Sequence, residues 1–358
     1  MLAAVSVVAI ACSSSDAPAL APEAAATQAL PTAVPTVPPE TSAPTVAPVL
    51  ADPTSTLEPL LPLVFEPIGN TDTAREEHST TLLNDGKVLI VGGRDQFGSS
   101  ISATLLFDPD TDSLVSVGEL NEARAGHSAT LLSDGRVLIA GGSSDADALR
   151  TAEIYDPESG SWTSIAEMIE RRFGQMALLM DDGRVLMVGG AGRRSLIPNS
   201  EIYDLESDTW ELAGRNTTHR VFGTGTVLPD GRVIIVGGSG ESGHQATVET
   251  LNVEDGTWSE LARMIAGRSG HSASLLTDGR IFVTGGIGLG PASNVETHSS
   301  SEIYDPASDE WQIVADMNSP RSGHTLTELS DGRLLAVGGT SDAGFHASSE
   351  IYDPATAT

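Results

Sequence analysis

Arg124 to Gly142 reads RAGHSATLLSDGRVLIAGG. Two short runs rich in apolar and β-favouring residues, HSATLL and RVLIAGG, flank an Asp-Gly pair, which predicts an antiparallel hairpin with a two-residue type I′ turn. RVLIA is apolar almost throughout instead of alternating, so it suits a strand covered on both faces. AEIYDP reads as a third strand, and a turn such as DPESGS leads to a fourth at WTSI.

The stretch recurs. Its double glycine stands at Gly92-Gly93, Gly141-Gly142, Gly189-Gly190, Gly237-Gly238, Gly285-Gly286 and Gly338-Gly339, in steps of 49, 48, 48, 48 and 53 residues. Asp-Gly keeps the same interval before each, and Trp162, Trp210, Trp258 and Trp311 keep step as well. A four-stranded sheet of such short strands cannot bury both faces alone, whereas six of them stacked around an axis bury one another. The reading is therefore all-β, a six-bladed propeller over residues 64–358.

Arg, Gly-His, Asp-Gly-Arg, Gly-Gly, Glu-Ile-Tyr-Asp-Pro and Trp at these offsets resemble Kelch repeats across about residues 65–358. The first copy departs with LLFDP and Leu114 at the Trp position, and the fourth with ETLNV and Gly223 where His is usual. The resemblance implies a Kelch β-propeller. The sixth copy ends at EIYDPATAT without a fourth strand, and Phe65 lies ten residues before Arg75, as Trp258 lies before Arg268. Phe65 to Gly69 is therefore expected to supply the outer strand of the last blade and close the ring.

Before the repeats the composition changes. Residues 2–11, LAAVSVVAIA, form an apolar run too short to span a bilayer, followed by Cys12, the single cysteine. One thiol excludes an intramolecular disulfide framework. The run, the cysteine and SSSD resemble a bacterial lipoprotein signal peptide with its lipobox, although Ala9 stands where that motif prefers Leu or Val. The resemblance implies residues 1–12 as signal segment, Cys12 as the acylated residue, and an extracytoplasmic protein held at the membrane by lipid. Residues 13–63, built from Ala, Pro, Thr and Ser, read as a linker with polyproline II character. At about 3.1 Å per residue it would reach up to roughly 150 Å.

A net charge of −30 with 39% hydrophobic residues suits a cored, soluble domain and argues against nucleic-acid binding, which needs clustered cations. Lys87 is the only lysine. The connectors after Gly-Gly differ in every copy: RDQFGSSISAT, SSDADALRTA, AGRRSLIPNS, SGESGHQATV, IGLGPASNVETHSSS and TSDAGFHASS. Variable connectors on a uniform frame are where recognition is expected, the longer fifth one first.

Arg75, Arg124, Arg172, Arg220, Arg268 and Arg321 begin the inner strands on the same rim, with His78, His127, His271 and His324 three residues on. Such a ring suits a carboxylate or sulfate. Glu153, Glu201, Glu249, Glu302 and Glu350 start the third strands there, which makes repeating ion pairs the stronger reading. Leu105 at the first Glu position leaves Arg75 or Arg124 as the free anion contact. Arg193, Arg194 and His298 in the connectors complete the candidate binding residues. No catalytic residue, metal site or cofactor is singled out. A repeating core role outweighs metal ligation for the histidines, and DPDTD at 108–112 lacks the glycine that a calcium loop needs. Some Kelch propellers resemble galactose oxidase, whose crosslinked cysteine-tyrosine pair is missing here. Others resemble sialic-acid mutarotases, so the expected function is a monomeric protein- or glycan-binding module, with a sugar isomerase or hydrolase using His271 and Glu296 or His298 as the alternative.

Overall fold

The computed structural model describes residues 74–290 and 294–357. Among these, six main antiparallel sheets follow in chain order, five of four strands and one of three, with three smaller sheets in the connectors. The second sheet is typical, with Ser128–Leu131 innermost, then Val137–Ala140, Ala152–Asp156 and, at the outside, Ser161–Ser164. Its second strand is buried at all four positions, as the unbroken apolar run requires. Outer strands are mostly exposed, as Thr209–Arg215 is in the third sheet, where Trp210 and Ala213 are its buried positions.

The core lies between the sheets. Leu132, Leu138, Ala140 and Ile154 of the second sheet pack with Val185, Met187, Tyr203 and Trp210 of the third. Equivalent clusters join the first to the second, the third to the fourth, the fourth to the fifth and the fifth to the sixth. Tyr203 and Trp210 pack with ring centroids 4.9 Å apart, and the Trp210 indole N–H donates to Ala166 O across the seam at 2.8 Å. In the sixth sheet, which has no Trp, Tyr352 stacks on Phe282 of the fifth at 4.6 Å.

The Asp-Gly turns differ from the expected type. Only the glycine has positive φ, +88° at Gly135, while Asp134 does not. Leu131 pairs with Val137, Leu132 N donates to Arg136 O, and Gly135 N donates to Leu132 O. This is a three-residue loop, a type I turn followed by a left-handed glycine, and not a two-residue type I′ turn. The Asp134 carboxylate explains the preference by accepting both the Arg136 amide and its guanidinium.

The double glycines join neighbouring sheets. Gly142 N donates to Arg172 O at 2.8 Å, and a Cβ at Gly141 would stand 2.5 Å from that same oxygen. Four further seams carry the same bond, from Gly93 to Arg124, Gly190 to Arg220, Gly238 to Arg268 and Gly286 to Arg321. Between the sixth sheet and the first, no such bond links Gly339 to Arg75 among the described residues. Apolar side chains stand open at those two ends, Leu82 at 64% exposure and Ile351 at 49%. The expected closing strand around Phe65, like Cys12 and the linker, lies outside the described residues.

Candidate functional site

The rim is fixed by five near-identical ion-pair clusters. Arg124 donates from Nη1 to Gly141 O and Thr151 O at 2.8 and 2.9 Å, and from Nη2 to Thr151 Oγ1 and Glu153 Oε1 at 3.1 and 2.9 Å. Glu153 also accepts the backbone amides of Asn121 and Glu122. The pattern returns at Arg172 with Glu201, Arg220 with Glu249, Arg268 with Glu302 and Arg321 with Glu350. All five arginine side chains are fully buried. At Arg124, Arg172, Arg220 and Arg268 burial works against the charge and the facing carboxylate works for it, so each of these pairs stands only as a unit.

This geometry has five of the arginines in the repeating ion pairs that the Glu positions made the stronger reading, and not in a ring open to an anion. Arg124, Arg172, Arg220, Arg268 and Arg321 have their outer nitrogens spent on carbonyls and carboxylates, and Arg124 cannot be the free anion contact. Arg75 differs, as the Leu105 substitution implies. Its Nη1 donates to Gly92 O and Ala103 O, and it has no carboxylate partner among the described residues.

The histidines hold seams together. His127 Nε2 pairs with Ser79 Oγ of the preceding sheet at 2.8 Å, and His271 Nε2 with Thr224 Oγ1 at 2.9 Å. In the third sheet Gln175 takes the place of His and donates to Ser128 Oγ and Ala140 O. The fifth-to-sixth seam uses Ser272 Oγ donating to His324 O. Burial first, then the adjacent arginine, lowers His127 and His271 to about 3 and His324 to about 4, so all three are neutral at pH 7. No hydrogen bond joins His271 to Glu296 or His298 among the described residues. His298 is buried in the fifth connector, its ring against Gly288.

One residue after each of these arginine-led pairs the chain turns left-handed around the axis. Glu77, Gly126, Gly174, Phe222, Gly270 and Gly323 have φ between +53° and +63°. Gly126 N donates to Glu77 O, Gly174 N to Gly126 O, Phe222 N to Gly174 O, Gly270 N to Phe222 O and Gly323 N to Gly270 O, at 2.8 to 3.1 Å. The innermost strands thus carry a run of backbone bonds from sheet to sheet, from Gly323 of the sixth to Glu77 of the first. Sequence reasoning missed this ring. Its signal is the glycine two residues after each repeat arginine, replaced by Glu77 and Phe222.

The connectors are built as small hairpins on the same rim. In the fifth copy Arg268–Ser269, Ile287–Leu289 and Val295–Thr297 form a three-stranded sheet, and the fourth and sixth copies carry two-stranded ones. Phe97 and Phe345 at connector tips are 83% and 85% exposed. A depression of about 300 Å³ between the second and third connectors is lined by Arg150, Ile169, Arg171, Arg193 and Ile197 among others. Arg150 pairs with Glu167 at 2.6 Å, and Arg193 lies 3.9 Å from Asp147. Arg194 is exposed beside Arg193. Among the described residues no cluster of His, Cys, Asp or Glu could hold a metal ion. DPDTD forms a turn in which Asp108 accepts the Asp110 amide.

Repeated four-stranded sheets, buried Arg-Glu pairs and the double glycines define a Kelch-type β-propeller. A Kelch motif model matches residues 123–169, and a model described as the Attractin/LZTR1 beta-propeller matches residues 149–357. The chain belongs to that Attractin/LZTR1 beta-propeller family. None of the curated proteins matches it. Among solved structures, that of YjhT aligns with a TM-score of 0.62 over 77% of this chain and 94% of YjhT at 14% identity, a likeness of fold.

Proposed function

We propose that this propeller is a binding module, held outside the cytoplasmic membrane through lipid on Cys12 and the linker of residues 13–63, that takes a protein or glycan ligand on its connector rim. The observation that carries the reading is the contrast between frame and connectors. The arginine clusters and double-glycine bonds repeat almost unchanged from sheet to sheet, while the six connectors, short hairpins on that frame, differ in sequence, and the fifth is longer and three-stranded. Exposed aromatic tips at Phe97 and Phe345 and the shallow depression at Arg150, Arg171 and Arg193 are features of a recognition surface. Arginine there offers planar donors to a carboxylate, and the two isoleucines offer apolar contact.

The test is an array of defined glycans and extracytoplasmic proteins probed with the full chain and with a variant whose fifth connector is shortened by the five extra residues. Specific capture that the shortened variant or an Arg171→Ala, Arg193→Ala variant loses, at unchanged melting temperature, is the expected result. Capture indifferent to every connector change would overturn it.

A further inference from the structure

We propose that the channel mouth binds a neutral sugar ring, stacked on Phe222 and hydrogen-bonded by the Glu77 carboxylate. The inference rests on the reading of the rim as a binding face and names the ligand class for its centre.

The argument starts from backbone strain. Phe222 sits at φ +55°, a left-handed conformation that is strained for a bulky L-residue and that glycine adopts freely. Four of the six equivalent positions are glycine. The other non-glycine residues in this conformation are of two kinds. Asp208 and Asp309 lie in outer turns and recover the cost, each accepting a tyrosine hydroxyl and a backbone amide of the neighbouring sheet. Asp112 and Ala357 lie in exposed turns. Phe222 has no such side-chain compensation, since the residue is 51% exposed and one edge of its ring rests over Gly174. A strained, half-exposed aromatic at the axis points to a role for the ring itself.

Its surroundings fit a sugar. A Cβ added at Gly126 or Gly323 would meet nothing within 4 Å, and one at Gly270 would barely touch its neighbours, so there is open space above the glycine floor. Glu77 stands three steps along the run of backbone bonds from Phe222, and Arg94 pairs with it at 3.1 Å. An aromatic face packs against the C–H face of a pyranose, and a carboxylate accepts from its hydroxyls. Phe222 with an unpaired carboxylate would instead suit a cation, but Arg94 neutralises Glu77. The overall negative charge of the chain disfavours an anionic sugar.

The experiment probes the full chain with an array of neutral, amino and acidic oligosaccharides, then measures affinity for the best neutral binder by titration. Phe222→Gly is expected to weaken binding at least tenfold while raising the melting temperature by roughly 2–4 °C, because it relieves strain without touching the backbone bonds. Phe222→Trp should retain binding, and Glu77→Gln should weaken it at unchanged melting temperature. Gain of stability with loss of binding is the signature that a structural role for Phe222 would not give. Phe222→Gly that binds as the parent does, or melts lower, overturns the inference. So does a preference for amino or acidic sugars, or for a basic protein. If glycan capture survives Phe222→Gly but is lost on shortening the fifth connector, the rim still binds and the mouth does not. If no oligosaccharide is captured at all, the mouth site is overturned, while the reading of the rim stands or falls on the protein arm of the earlier array.

Discussion

Removing one carboxylate from the buried lattice should destabilise the propeller far more than its single hydrogen-bonded contact to arginine suggests. Glu201 and Arg172 have fully buried side chains, and Glu201 accepts the amides of Ile169 and Glu170 at 2.7 and 3.0 Å besides the guanidinium. Glu201→Leu keeps similar volume but leaves Arg172 charged, buried and held only by Gly189 O and Asn199 O. An uncompensated buried charge costs about 3–5 kcal/mol, and the two stranded amides about 1–3 kcal/mol each if water cannot reach them. These terms overlap, so about 4 kcal/mol is the working value, on the order of a 10 °C fall in melting temperature for a domain of this size. Glu350→Leu in the sixth sheet should cost less, because Glu350 keeps 14% side-chain exposure and water can take its place. Urea unfolding followed by tryptophan fluorescence and circular dichroism reads both. A loss below about 1 kcal/mol at Glu201, or an equal loss at Glu350, would refute the view that these pairs stand only as units.

The enclosed histidines make stability depend on pH. Their folded pKa values, about 3 for His127 and His271 and about 4 for His324, lie below the ordinary 6.5, so the unfolded chain binds protons first. Their contribution is complete above pH 6.5 and is lost as pH falls toward 4, by about 1.4 kcal/mol per pH unit for each histidine. His127→Gln, imitating Gln175, should remove about one third of that slope between pH 6.5 and 5, and an unchanged slope would contradict the assignment. Phe65→Ala should cost roughly 3–5 kcal/mol if residues 65–69 complete the last sheet. The amides of Ser349–Tyr352 should then exchange faster with deuterium, and equal melting and exchange in the two proteins would remove the closing role.

Most of the frame is legible because it repeats. A spacing of about 48 residues shared by Gly-Gly, Asp-Gly and Trp fixes strand order, and Glu opposite Arg in copies two to six with Leu105 in the first foretells both the ion pairs and the exceptional Arg75. The turn type was not legible. Asp-Gly alone points to a two-residue loop, and only the pairing of Leu131 with Val137 shows that Ser133 belongs to the loop as well. The connectors read as irregular because their pairing is short; Ser239–Gly240 with Gly243–His244 is two residues against two. Phe222 was illegible for a different reason. In sequence it is one aromatic among seven phenylalanines, and its meaning depends on a φ set by neighbouring sheets.

The same lattice explains why strain is tolerated at that position. Phe222 N donates to Gly174 O and Phe222 O accepts from Gly270 N, so its backbone is gripped on both sides. Two residues earlier, Arg220 is anchored to Gly237 O, Thr247 and Glu249. An unfavourable conformation of about 1–2 kcal/mol persists where such anchors together contribute more. Glu77 has a weaker hold: its carbonyl accepts from Gly126, but Arg75 lacks the carboxylate that fixes every other repeat arginine. The first copy should therefore be the more adaptable wall of the channel mouth, with Phe222 the rigid one. A ligand seated between them would order Glu77 before it moves Phe222.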